Sequence, residues 1–146
     1  MAAGTDKHSG FSDQERQAMK ARAKELAAEQ RAERKKADGE KEVAAAIAAM
    51  TDSDKNMAQR VHDLVAGISP DLWPKTWYGM PAYAKDGKVI CFFQAAKKFD
   101  SRYATLGFTD TSQLDNGNMW PTSFALINMT KAEEKLVTEL VKKALG

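Results

Sequence analysis

The chain has 146 residues, 43% hydrophobic and 29% charged, which suits one compact domain with an appendage. Its net charge of +2 is too small to demand a polyanionic partner, and its single cysteine, Cys91, excludes an internal disulfide. No apolar run approaches the roughly 18 residues of a membrane helix, and the opening "MAAGTDKHSG" lacks the apolar core of a secretory signal. A reducing, cytoplasmic setting is the natural expectation.

Residues 1–10 are small and polar and read as a disordered tail. Ser12 and Glu15 then offer a reciprocal cap for a helix start. The following "RQAMKARAKELAAEQRAERKKAD" is rich in helix formers, with Met19 and Leu26 its only large apolar residues. That seam is too thin to bury a helix face, so the reading is a long, mobile polar helix ending near Gly39. Residues 1–39 thus form an appendage, and 40–146 the folded α+β unit. The basic cluster Arg31, Arg34, Lys35 and Lys36 could contact phosphates. Basic residues in a last helical turn also complement the helix dipole, and Glu29, Glu33 and Asp38 dilute the charge. Nucleic acid is therefore the weaker reading.

From Glu40 the pattern changes. Val43, Ile47 and Met50 form one helical stripe, and Met57, Val61, Leu64, Val65 and Ile68 a fuller one after the turn "TDSD". Pro70 and Pro74 close the helical region. "AYAK-DG-KVIC" reads as a two-residue hairpin, because Asp-Gly suits the type I′ turn. "RYATLGF" and "TSFALINM" read as further strands. Thr130 and Glu133 cap a final helix with the stripe Leu136, Val137, Leu140, Val141 and Ala144. Helices, then strands, then a helix, without strand–helix alternation, imply an antiparallel sheet and the α+β class.

A hairpin bent at Asp86-Gly87 pairs Lys85 with Lys88, Ala84 with Val89, Tyr83 with Ile90 and Ala82 with Cys91. Side chains alternate along strands. One face then carries Ala82, Ala84, Val89, Cys91 and Phe93. The other carries Tyr83, Lys85, Lys88, Ile90 and Phe92. Full burial of each large apolar side chain contributes on the order of 2 kcal/mol, so an open second face needs a reason. Two arrangements are available. The 113–120 loop covers that face, or the face is a shallow aromatic groove for a small ligand or a protein partner. Gly79 and Pro81 make a corner around Met80 that swings Trp77 and Tyr78 over the sheet end. Lys97, Lys98 and Arg102 lie beyond the second strand, either as a solvated sheet end or as the cationic side of that groove. The expected ligand-binding set is Trp77, Tyr78, Met80, Tyr83, Phe92, Lys97, Lys98 and Arg102.

"PDLWPKTWYGMPAYAKDGKVICFF", the lysine pair in "QAAKKF" and the closing helix make residues 40–145 resemble the YdhG-like family of small bacterial proteins, a domain of unknown function that includes frataxin-like iron chaperones. The polar segment "FSDQERQAMK" with "SRYATLGF" and "MWPTSFAL" is similar to a subset of that family. The resemblance implies a curved antiparallel sheet packed against helices, a cytoplasmic monomer or weak dimer, and no established catalytic residues. It also implies intracellular iron handling as the alternative to a non-enzymatic binding module.

No defined acidic motif supports iron here. Asp52, Asp54, Asp110 and Asp115 are scattered and have turn or cap explanations, His8 lies in the tail, and His62 beside Asp63 reads as solvated or capping. Cys91, between Ile90 and Phe92 in a strand, reads as buried and inert rather than nucleophilic. No phosphate-cradling glycine loop, GxSxG elbow or HExxH pair occurs. The sequence thus offers no catalytic set and no resident cofactor, with iron entering by resemblance alone.

Overall fold

A computed structural model describes residues 11–30 and 36–146. The expected tail and most of the basic cluster, Arg31, Arg34 and Lys35, lie outside the described residues. Among these described residues four helices and five strands follow in the order α1 (Asp13–Gln30), α2 (Lys36–Ala48), α3 (Asp52–Ala66), β1 (Trp73–Trp77), β2 (Met80–Lys85), β3 (Lys88–Gln94), β4 (Ala104–Phe108), β5 (Ser123–Leu126) and α4 (Lys131–Leu145). The strands form one antiparallel meander in sequence order. The class is α+β, as the element order requires. No helix among the described residues is long and apolar enough to cross a membrane.

Both expected capping boxes are present. The Ser12 N–H donates to Glu15 Oε1 at 2.8 Å and the Glu15 N–H to Ser12 Oγ at 3.1 Å. Thr130 and Glu133 repeat the arrangement at the start of α4. Only part of the final stripe turns inward: Val137, Val141 and Ala144 are buried, whereas Leu136 is 57% exposed and Leu140 is half-buried.

The helix expected to end near Gly39 does not. Gly39 lies inside α2, which begins at Lys36, so the boundary placed at residue 39 falls within a helix. The physical reason is packing. A Cβ on Gly39 would sit 1.9 Å from the Pro74 carbonyl oxygen, so the missing side chain lets α2 rest directly on the backbone of β1. β1 itself escaped the sequence reading, which took Pro70 and Pro74 only as the close of the helical region. Proline is tolerated on an edge strand, and β1 is an edge strand.

The Asp86-Gly87 bend occurs where expected, with both residues at positive φ (52° and 80°) and Lys85 opposite Lys88. The register then departs from expectation. Ala84 faces Val89, but Tyr83 faces Cys91 and Ala82 faces Phe92, so Ile90 is an extra residue, a β-bulge. The bulge leaves the Val89 and Ile90 carbonyls to be satisfied from outside the β2–β3 ladder. The segment after β4 does this: the Thr111 hydroxyl donates to Val89 O at 2.7 Å and the Ser112 hydroxyl to Ile90 O at 2.6 Å. The Thr109 N–H also donates to Ile90 O at 3.1 Å.

One residue of slip exchanges faces. Tyr83, Cys91, Phe93, Leu106 and Phe108 join Val43, Ile47, Val61, Val65, Val137 and Val141 in a single buried cluster between the sheet and α2, α3 and α4. Lys75, Ala82, Phe92 and Gly107 stand in one row across the opposite face. Leu114 and Trp120, from the loop that one reading laid over Tyr83, Ile90 and Phe92, pack against the helix-side cluster, which holds Tyr83 and Ile90 but not Phe92.

Candidate binding site

The opposite face is built from an alternation of bulk and absence of bulk. A Cβ on Gly107 would lie 2.2 Å from Phe92 Cζ, so the Phe92 ring lies directly over the glycine backbone. Phe92 meets Trp77 at 5.2 Å between ring centres, and Trp77 meets Tyr78 edge-on at 4.9 Å. Phe92 and Trp77 are half-buried and Tyr78 is 38% exposed. The three rings form a run from the middle of the sheet to its β1–β2 end, outside the helix-side core.

That end is a second tight hairpin. Trp77 faces Met80, leaving Tyr78 and Gly79 as the loop, and both take positive φ (53° and 79°). These are the φ signs of a type I′ turn. The expected Gly-Met-Pro corner is therefore a turn one residue earlier, with Met80 and Pro81 already in β2. Sequence reasoning passed over it because tyrosine is an unusual first residue for such a turn, where asparagine or aspartate relieves the strain of positive φ.

Helix α1 lies across this turn. Glu25 accepts from the Tyr78 N–H at 2.8 Å and from the Gly79 N–H at 2.9 Å, one carboxylate oxygen each. Arg22 lies 3.7 Å from Glu25 and 5.6 Å from the Tyr78 ring centre. Lys98 donates to Gly79 O at 3.2 Å. Partial burial holds the Lys98 ammonium below the usual lysine range, and the nearby Glu25 charge pulls the other way. Between the first half of α1 and the turn lies a cleft of about 180 Å³, lined by Gln14, Gln17, Ala18, Ala21, Tyr78, Gly79, Lys98 and Phe99.

The structure thus brings Trp77, Tyr78, Phe92 and Lys98 to one region. Met80 faces Trp77 at the same end of the sheet but is buried, and Tyr83, Lys97 and Arg102 lie outside the region. Tyr83 is fully buried on the helix side, because the bulge exchanges its face. Met80 is buried at 8% exposure. The Lys97 and Lys98 backbone N–H groups donate to the buried carboxylate of Asp54, which fixes their turn, but the Lys97 side chain does not line the cleft. Arg102 stacks on Tyr103 at 5.1 Å and also lies outside the lining. Gln14, Gln17 and Glu25 were missed. They sit on a helix whose apolar content predicted no docking, and nothing in its periodicity marks the contact.

His62 is half-buried and has a partner that the sequence did not suggest. Its Nδ1 lies 2.9 Å from the Tyr83 hydroxyl, which gives that buried phenol the partner it needs. Burial lowers the His62 pKa from its ordinary 6.5, opposed by Asp63 and Glu40. A ring kept neutral in the native state contributes stability that is fully present above about pH 6.5 and is lost as pH falls through the lowered native value. The urea midpoint should accordingly fall more steeply between about pH 7 and pH 5 in the wild type than in His62→Gln. Equal slopes would remove His62 from that role.

Cys91 is fully buried, and burial pushes its thiol up to about 12, away from the thiolate that nucleophilic chemistry needs. Asp54 is committed to backbone N–H groups, and among the described residues no three His, Cys, Asp or Glu side chains are placed to hold a metal ion. No family model, curated protein or solved structure matches the chain.

Proposed function

We propose that the chain is a non-enzymatic binding module that takes a small ligand or a protein partner on the aromatic end of its sheet. The observation that carries this is the Trp77–Tyr78–Phe92 run, partly exposed on the face opposite the helix-packed core and continuous with a cleft floored by Gly79. Half-exposed aromatic side chains set beside a tight turn give a ligand large, rigid contact area at low entropic cost. The Lys98 ammonium at the cleft adds one oriented cation, which biases the site toward polar or anionic groups.

An amide chemical-shift screen of the full chain tests this, using small aromatics, peptides, nucleotides, short nucleic acids and ferrous iron. Shifts clustered at Trp77, Tyr78, Phe92 and Gly107 with an organic or peptide ligand are expected, and Trp77→Ala should weaken that ligand about tenfold or more, as losing an aromatic anchor does. An unmoved aromatic run, with ferrous iron broadening carboxylate-bearing residues instead, would overturn the reading.

A further inference from the structure

The two tight turns of the sheet share φ signs and differ in what they hold. Asp86-Gly87 has the residues that such a turn prefers, and open space surrounds its glycine. Tyr78-Gly79 holds a strained tyrosine and presents its two consecutive N–H groups to the carboxylate of Glu25. Consecutive N–H groups converging on one anion form a backbone nest, a recurrent device for capturing carboxylates. Strain that persists at a surface turn is a pointer to function.

The attachment of α1 is unusual in kind. Among its described side chains Glu25 alone is buried, at 8% exposure, whereas Met19 and Leu26 are 47% and 43% exposed. Its hold on the sheet centres on a charge-assisted contact, with half-buried Ala18 and Ala21 beside it. Asp54 offers the comparison. It makes similar bonds to Lys97 and Lys98, but from α3, whose Ala58, Val61 and Val65 are buried in the core. Removing Asp54's bonds would leave α3 in place. Glu25 is the one buried anchor among the described side chains of α1, beside half-buried Ala18, Ala21 and Arg22.

We propose that the Tyr78-Gly79 turn is a binding site for carboxylate-bearing ligands, and that Glu25 occupies it in cis. This deepens the binding reading above and rests on it, naming the ligand chemistry of the same end of the sheet. Lys98 and Arg22 supply positive charge around the nest, and the Tyr78 and Trp77 rings supply an apolar wall for whatever carries the carboxylate. An incoming ligand displaces Glu25 and loosens α1. Because Glu25 belongs to the same chain, it competes at high effective concentration, so the site shows its intrinsic affinity only when Glu25 is removed.

The test compares full-length wild type with Glu25→Ala by amide shifts. The probes are phenylacetate, its uncharged analogue phenylacetamide, and a capped pentapeptide with one glutamate. In the variant, the Tyr78 and Gly79 amide protons should lose their carboxylate-bonded position, and phenylacetate or the peptide should restore it saturably. The apparent affinity should be on the order of tenfold higher than in wild type. Response to the peptide alone assigns the carboxylate to a protein partner, and response to phenylacetate assigns it to a small molecule. Unresponsive Tyr78 and Gly79 amides in the variant, or equal affinity in both proteins, overturn the proposal. Glu25→Gln, which keeps one acceptor oxygen, repeats the comparison if the alanine variant loses shift dispersion. Loss of fold in both also overturns it, because a displaceable occupant is dispensable for folding. Phenylacetamide separates the two readings: shifts at Phe92 and Gly107 without any carboxylate response leave the aromatic site standing and remove this inference.

Discussion

Phe93→Ala is expected to cost about 3–5 kcal/mol of unfolding free energy, the range for deleting a buried phenylalanine. Phe92→Ala, one residue away, is expected to cost about 1–2 kcal/mol, nearer the centre of all substitutions. The two rings are chemically identical and adjacent. Phe93 is fully buried, pairs with Leu106 and belongs to the cluster under α2, α3 and α4. Phe92 is half-buried over Gly107, on the other face. Deleting the first leaves a cavity whose walls are held by three helices. Deleting the second exposes a glycine and loosens Trp77, with solvent able to fill the space. Urea unfolding at constant slope reads the difference directly. Comparable losses for the two variants would mean that both faces are packed cores, and the open aromatic face would not exist.

The same pair of residues shows what could be read from the sequence and what could not. That Phe92 and Phe93 point to opposite faces follows from strand periodicity alone. Which face Tyr83 shares with them does not, because the Ile90 bulge intervenes between the turn and the middle of the hairpin. The Ile90 position carries no glycine or other local mark of a bulge. Its partners are the Thr111 and Ser112 hydroxyls, some twenty residues further along the chain, whose purpose appears only once the fold brings them to the Val89 and Ile90 carbonyls. The helix caps, the Asp86-Gly87 turn and the antiparallel order were legible because each is a local agreement between residue type and backbone geometry.

The candidate site was legible in part for a related reason. Trp77, Tyr78 and Phe92 stand out as large rings near a glycine, and their grouping survives the register correction, since Phe92 and Trp77 remain on one face. Tyr83 leaves the group through the bulge. Glu25 enters it through a long-range contact that violates the local rule for α1: a helix of low amphipathicity is not expected to dock, yet this one docks through a carboxylate. Local rules fail at the Tyr78-Gly79 turn twice, in its residue choice and in its partner. Such double failures are expected where a site serves something other than stability.

Gly39→Ala makes the sign of an effect decide between two pictures of the N-terminal half. Were Gly39 simply an interior or end residue of a solvated helix, alanine would stabilise the helix by up to about 1 kcal/mol, through backbone entropy. In the structure the added methyl would sit 1.9 Å from Pro74 O and 3.0 Å from Pro74 C, both backbone atoms that no rotamer change can move aside. The helix must lift off β1 or the edge strand must shift. Either change strains the Thr76 hydroxyl bond to Glu42 at 3.0 Å, one turn further along α2. Overpacking of this kind typically costs about 1–3 kcal/mol, which exceeds the propensity gain. The expected outcome is therefore net destabilisation, visible as a lower urea midpoint at unchanged slope. A midpoint that rises instead would detach α2 from the sheet and restore the boundary near residue 39, and with it a folded unit that begins only after that glycine.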